Sequence, residues 1–182
     1  MLNSNAIKLE NVSRRFDDVL AVDDVTFSVR RGSICAVLGG NRAGKTTLLS
    51  MLLGLLLPTA GRVSVLGCDM LRNRYRVLHR MNFSSPYVDL PQRLTVRENL
   101  SVYARLYSVR QFRQLLAMLA GQLEIERYLD RVYGTLSAGQ KTRVVLTKAL
   151  LNQPDVLLLD EPTVSLDPET AGTIRALLRN YQ

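Results

Sequence analysis

Near the N-terminus, apolar and polar positions alternate in "AIKLENVSRRF" and "LAVDDVTFSVRRGS", the period-two pattern of half-exposed antiparallel strands. The run "ICAVLGG" breaks that pattern. It is continuously apolar and ends in glycines, which predicts a strand buried on both faces. Lys45 to Leu57 then reads as a buried helix stopped by Pro58. "PTAGRVSVLGCD" predicts a turn and a short strand, residues 71–80 a basic helix, and "MNFSS" another strand. From Leu94 to Tyr133 the pattern is helical throughout, in "LTVRENLSVYARLYS", "VRQFRQLLAMLAG" and "IERYLDRVY", and predicts an inserted helical subdomain over about 94–133. An α/β pattern returns with a helix over Gly139–Leu151, the buried strand "DVLLLD" and a final helix from Pro168. The expected class is mixed α/β with a parallel core sheet and no internal repeat.

Composition narrows the class. The 182 residues suffice for one domain with its own core, and an apolar fraction of 47% with 22% charged residues is that of an ordinary globular protein. The formal charge of +8 favours acidic partners such as nucleotides, nucleic acid or an anionic membrane surface. Part of that charge is local: Arg72, Arg74, Arg76 and Arg80 follow one another with no acid between them, a pattern that suits a solvated helix face or a binding patch. Cys35 and Cys68 lie in strand-like apolar contexts without metal-type spacing, which predicts reduced core residues. The longest apolar run, "LLSMLLGLLLP", is too short and interrupted to span a bilayer, and the N-terminus lacks a signal-peptide core. Any membrane connection is expected through a partner.

The chemistry concentrates in three places. "GGNRAGKT", Gly39 to Thr46, fits G-x-x-x-x-G-K-[ST] and falls after an apolar run and before a helix, where that motif works. Glycines let the backbone wrap a β-phosphate, successive N–H groups form an anion nest, Lys45 can reach the β- and γ-phosphates, and the Thr46 hydroxyl can ligate Mg2+. "DVLLLDEP" places Asp160 and Glu161 at the carboxyl end of a strand, where open α/β sheets hold ligands. One carboxylate there can hold Mg2+ and the next can orient or deprotonate an attacking water. A second anion-binding arrangement, Ser137-Ala138-Gly139-Gln140, opens another helix.

The segments "LGGNRAGKTTLL", "LSAGQ", "LLLDEPT" and "SLDP", in this order and with "LTVRENL" upstream, resemble the ATP-binding cassette (ABC) family of transporter ATPases, exporter type, from about Ile7 to the last residue. The resemblance implies a P-loop NTPase core with a mostly parallel sheet, an N-terminal antiparallel β subdomain and an inserted α-helical subdomain. It also implies ATP and Mg2+ as ligands, with Gly39, Gly40, Asn41, Arg42, Ala43, Gly44, Lys45, Thr46 and Thr47 forming the phosphate loop. Thr46 and Asp160 would form the Mg2+ shell and Glu161 would be the catalytic carboxylate. Ser137, Ala138, Gly139 and Gln140 would act on the γ-phosphate of ATP held by a second cassette facing head to tail. Two anion sites in one chain would then serve two different ATP molecules. Phe16 matches the aromatic that stacks on adenine, a core position being the alternative. Ser165-Leu166-Asp167 matches the segment that crosses the dimer interface. The helical subdomain would dock an integral membrane permease, leaving the cassette cytoplasmic and peripheral on the inner face of the cell membrane.

Four departures from the family pattern bear on that reading. Arg42 stands where the family usually has Gly; it either tolerates the backbone angle or loosens the loop, extra contact with phosphate being a third option. Ala138 replaces a common Gly. In "MNFSSPYVDL", Ser85 or Pro86 falls where the family has a Gln that ligates Mg2+, and Gln92 lies too far along to replace it. The family continues through a further strand ending in a His that contacts the γ-phosphate, whereas the single His here is His79, so the resemblance implies a C-terminally truncated cassette. Competing readings are a cassette that binds ATP without efficient turnover and a soluble nucleic-acid-associated cassette. The latter kind typically carries paired cassettes, a long coiled coil or zinc cysteines. None is present, so no nucleic acid is expected.

Overall fold

The computed structural model of the chain describes residues 5–85, 89–162, 166 and 168–180. The chain divides into two units, within residues 1–78 and within residues 79–181.

The first unit opens with the two predicted antiparallel strands, β1 (Asn5–Phe16) and β2 (Val19–Arg30), paired with several register shifts. Helix α1 (Lys45–Leu52) follows, then β3 (Ala60–Val65) and β4 (Cys68–Asp69), giving a four-stranded antiparallel sheet in the order β2-β1-β3-β4. The period-two pattern works here because one face is covered. Leu9, Val12, Val63 and Val65 are buried, while Lys8 of the same strand is exposed. Leu48, Met51 and Leu52 of α1 are buried as well, and α1 packs on β2 and β3.

The second unit contains β5 (Met81–Ser84), α2 (Val96–Leu106), α3 (Phe112–Gln122), α4 (Ala138–Leu150), β6 (Val156–Leu159) and α5 (Pro168–Asn180). Strands β5 and β6 pair in parallel, Met81 opposite Val156 through Ser84 opposite Leu159. Leu100, Leu119, Ile125, Tyr128, Val144 and Ile174 belong to the core that joins these helices. The α/β class, with an N-terminal antiparallel sheet, a parallel sheet and helices, is the one the sequence predicts.

Several local expectations are corrected. The run Ser33–Gly40 forms no strand and is exposed throughout, Leu38 at 90%, so Cys35 is an exposed thiol rather than a core residue. Cys68 is half-buried and also free. Apolar composition specifies that a segment gains by burial, but a strand also needs a neighbour for its N–H and C=O groups, and composition cannot name it. Helix α1 stops at Leu52, well before Pro58. Gly54 takes φ 67, and the bonds Leu55 N–H to Ser50 O (2.9 Å) and Gly54 N–H to Met51 O (3.1 Å) close a Schellman motif.

The basic helix over 71–80 is replaced by two 3-10 turns, Arg74–Arg76 and Leu78–Arg80. A continuous α-helix would stack Arg72, Arg76 and Arg80 at four-residue spacing, where like charges repel. Instead Asp69 Oδ1 accepts from the N–H groups of Leu71 and Arg72, at 2.8 and 3.2 Å, and starts a turn. "IERYLDRVY" holds the 3-10 turn Glu126–Tyr128 and the start of a second, Tyr133–Thr135, because the chain between them serves α2. The carbonyls of Leu129 and Arg131 accept from Arg97 (2.8 Å) and Val96 (3.0 Å), satisfying orphan N–H groups of the first turn.

Candidate functional site

The phosphate loop belongs to the first unit. Gly44 precedes α1 with φ 82, and a Cβ built there would lie 2.2 Å from the carbonyl oxygen of Ala21 in β2, so the position requires glycine twice over. Arg42 also takes the left-handed conformation, at φ 68, and its side chain is exposed. A Cβ on Gly39 would meet Ala43 Cβ at 3.0 Å, while Gly40 has open space around it. The Lys45 ammonium donates to the carbonyls of Gly39 (2.7 Å) and Gly40 (2.9 Å), so the loop curls round its own cation. Ala43 N–H donates back to Gly40 O at 3.2 Å.

Helix α1 has no side-chain cap and no acid in its first turn. The N–H groups of that turn, at Lys45, Thr46 and Thr47, therefore have no carboxylate of their own helix competing for them. This arrangement fits the phosphates of a nucleotide. Asn41 and Thr46 are exposed and Thr47 half-buried.

The acidic pair lies in the second unit. Asp160 N–H donates to Ser84 O at 2.9 Å, which carries the β5–β6 ladder one residue past the strand and leaves the Asp160 side chain buried. Glu161 follows with φ 48, a left-handed angle that costs a non-glycine residue about 1–2 kcal/mol, and its side chain is exposed. The backbone thus reverses between the two carboxylates, one held inside and one turned out. No group of three or more His, Cys, Asp or Glu able to hold a metal occurs among the described residues. A single carboxylate such as that of Asp160 suits Mg2+, which keeps waters and substrate phosphates as its other ligands.

Ser137 caps α4 with a reciprocal pair of bonds, Ser137 N–H to Gln140 Oε1 (3.1 Å) and Gln140 N–H to Ser137 Oγ (3.4 Å). Ser137 and Ala138 are exposed. Among the described residues the nearest neighbour of a Cβ built on Gly139 is Leu166 Cδ2 at an ordinary 3.7 Å, and Gly139 has no positive φ, so none of them demands glycine there.

Phe16 ends β1, is 40% exposed, and carries the Arg14 guanidinium 4.4 Å from its ring centroid. Ser85 is buried at the end of β5. Gln92 is engaged elsewhere, its carbonyl accepting from Gly134 N–H (2.9 Å) and its side chain from Lys141 (3.2 Å). Pro86, Ser165 and Asp167 lie outside the described residues.

One residue at this edge escapes the sequence reading. Lys148 of α4 is buried, donates to Phe83 O at 3.4 Å, and its ammonium lies 5.4 Å from the Tyr103 ring centroid. Burial lowers its pKa below the ordinary lysine value. The signal was available in "VVLTKALL", where a single cation interrupts a segment apolar on every face.

Comparison with known proteins follows the same lines. The chain is 40% identical over 176 residues to the Nod factor export ATP-binding protein I of Burkholderia orbicola, covering 96% of this chain and 58% of that protein. It is 39% identical over 177 residues to the protein of that name from a Rhizobium species, with the same coverage. The chain thus spans under two thirds of the length of these relatives. Among solved structures, cbiO1 from Clostridium perfringens, part of the ABC transporter complex cbiONQ, superposes with a TM-score of 0.87 at 28% identity, over 98% of this chain and 74% of that one. The family model described as ABC transporter matches residues 22–164, a span that holds the phosphate loop, the Ser137 cap and the acidic pair, and the chain belongs to the ABC transporter family.

Proposed function

We propose that the chain is one nucleotide-binding domain that binds and hydrolyses ATP to drive a membrane exporter. The observation that carries this reading is the phosphate loop, in which Gly44 at φ 82 seats the loop against β2 and leads into an uncapped, acid-free helix start beside Lys45. The Lys45 ammonium and the α1 N–H groups would hold the β- and γ-phosphates, the Thr46 hydroxyl and the Asp160 carboxylate would each serve as a ligand for Mg2+, and the exposed Glu161 would orient and deprotonate the attacking water. Mg2+ supplies charge neutralisation on the phosphates when bound.

A second copy, head to tail, completes each site through Ser137, Ala138, Gly139 and Gln140. Supporting this, Gly139 answers no steric demand of the described residues, and a glycine there permits close approach of a second chain. Phe16 stacks on adenine, and the helical region over about 94–133 docks an integral membrane permease. No helix among the described residues is long and apolar enough to cross a membrane. The chain is placed peripherally on the inner face of the cell membrane through that permease, without nucleic acid as a partner. The relatives' designation as export ATP-binding proteins supports the export direction.

The test is calorimetric binding of Mg-ATP to wild type and Lys45→Ala, with affinity expected to fall about tenfold or more. Equal affinities would refute the assignment. A second reading, binding with little turnover, is favoured by the end of β5, where buried Ser85 stands in the region of the family's Gln. Phosphate release by the wild-type chain at saturating ATP separates the two.

A further inference from the structure

Four arginines of the first unit take no part in the nucleotide chemistry. Arg72 and Arg76 are exposed, Arg74 is half-buried, and the side chain of Arg62 on β3 is 68% exposed. Large apolar side chains stand among them in water: Leu55 at 79% exposure, Tyr75 at 76%, Leu71 at 57% and Leu57 at 46%. These groups form one surface. Leu57, Leu71, Arg62 and Arg72 line a single depression of about 200 Å³. Arg74 donates to the carbonyl of Gly54, beside Leu55, at 3.1 Å, and its guanidinium lies 5.0 Å from the Tyr75 ring centroid. Two carboxylates adjoin the surface: Asp69, whose Oδ1 is engaged by the backbone of Leu71 and Arg72 and whose Oδ2 lies 4.0 Å from Arg62, and Glu10, which stands opposite Arg62 across the β1–β3 pair and is itself ion-paired with Lys8 at 2.6 Å.

We propose that this surface seats on an anionic phospholipid bilayer. Solvation alone accounts for the arginines but not for leucines and a tyrosine left in water between them. Both are accounted for at a headgroup boundary. Guanidinium groups pair with lipid phosphates, leucines enter the acyl margin, and a tyrosine ring lies at the interface with its hydroxyl outward. Acidic protein segments match the charge, but the apolar groups come from separate turns, and the two most exposed of them, Leu55 and Tyr75, stand outside the depression that Leu57 and Leu71 line. A fluid layer of phosphates over hydrocarbon meets them all. The proposal rests on this surface and is independent of nucleotide binding.

Vesicle co-sedimentation tests it, using the whole chain with phosphatidylcholine vesicles alone and with vesicles containing phosphatidylglycerol. R62Q/R72Q/R76Q removes three of the four arginines and keeps Arg74, which holds the Gly54 carbonyl, whereas R105Q/R110Q/R113Q, all exposed residues of the second unit, produces the same net charge. Each arginine near an anionic surface contributes roughly fivefold, so the first variant should bind phosphatidylglycerol vesicles on the order of a hundredfold more weakly than wild type. The second variant should stay near wild type, binding should fall with added salt, and pure phosphatidylcholine should retain none of the proteins. L71S/Y75S, judged folded by an unchanged circular dichroism spectrum, should weaken the same binding with all arginines present. Equal loss in the two arginine variants would show that net charge alone acts, and would overturn the proposal. So would a wild-type chain that stays in the supernatant. Loss of assembly with a membrane protein in R62Q/R72Q/R76Q would in that case mark the surface as a protein contact.

Discussion

Replacing Gly44 by alanine separates two costs that the phosphate loop combines. At φ 82 an alanine loses about 1–2 kcal/mol to the left-handed backbone, offset by about 0.4–1 kcal/mol gained from a less flexible unfolded chain. The new methyl would also lie 2.2 Å from the Ala21 carbonyl oxygen, a backbone atom of a paired strand that cannot rotate away. Forcing that contact adds about 1–3 kcal/mol, for a net loss of roughly 2–4 kcal/mol. At about 2–4 °C per kcal/mol for a chain of this size, the melting temperature should drop by roughly 10 °C.

Two other glycines supply the controls. Gly32 has φ 62 but nothing within 4 Å of a built Cβ, so Gly32→Ala tests the angle alone and should cost roughly 1 kcal/mol. Gly40 has neither constraint, and Gly40→Ala should lie within about 0.5 kcal/mol of wild type. Scanning calorimetry without nucleotide gives the ranking, and Mg-ATP titration of the same proteins should show the affinity loss confined to Gly44→Ala and any milder effect to Gly40→Ala. If Gly44→Ala melts with Gly32→Ala, the contact with β2 does not hold the loop and the reasoning fails.

Lys45→Ala and Ser137→Arg, each expected to be inactive alone, should regain ATPase when co-expressed, because in the proposed head-to-tail dimer a mixed pair keeps one intact composite site; no recovery in proven mixed dimers would sink that arrangement. Lys148 is held by burial below its ordinary lysine pKa, so the folded state binds that proton less tightly than the unfolded state does. Its cost to stability is present at neutral pH and disappears as the pH rises toward 10.5, so Lys148→Met should melt higher than wild type at neutral pH with the advantage shrinking under alkaline conditions. An advantage that grows with pH would contradict the burial argument.

Sequence alone determined those features whose cause is local or periodic. Alternation marked β1 and β2 because a sheet with one covered face needs every second residue apolar. The spacing of Ser137 and Gln140 encodes the cap of α4, since a capping box is made within four consecutive residues. Gly44 was legible because a phosphate-loop pattern fixes glycine at that offset, and the structure requires glycine there through its φ of 82 and the Ala21 carbonyl. Tertiary structure decided what depends on distant neighbours. It left Ser33–Gly40 unpaired and exposed although its apolar run reads as a core strand, since hydrophobicity names no pairing partner. It turned residues 129–132 from a continued helix into the cap of α2, because the orphan N–H groups of Val96 and Arg97 lie across from Arg131 and Leu129. It buried Lys148 against β5, because α4 is covered on all sides from Val144 to Leu150 and the ammonium finds the Phe83 carbonyl there; the apolar segment around it hinted at burial, but only the fold supplies that carbonyl.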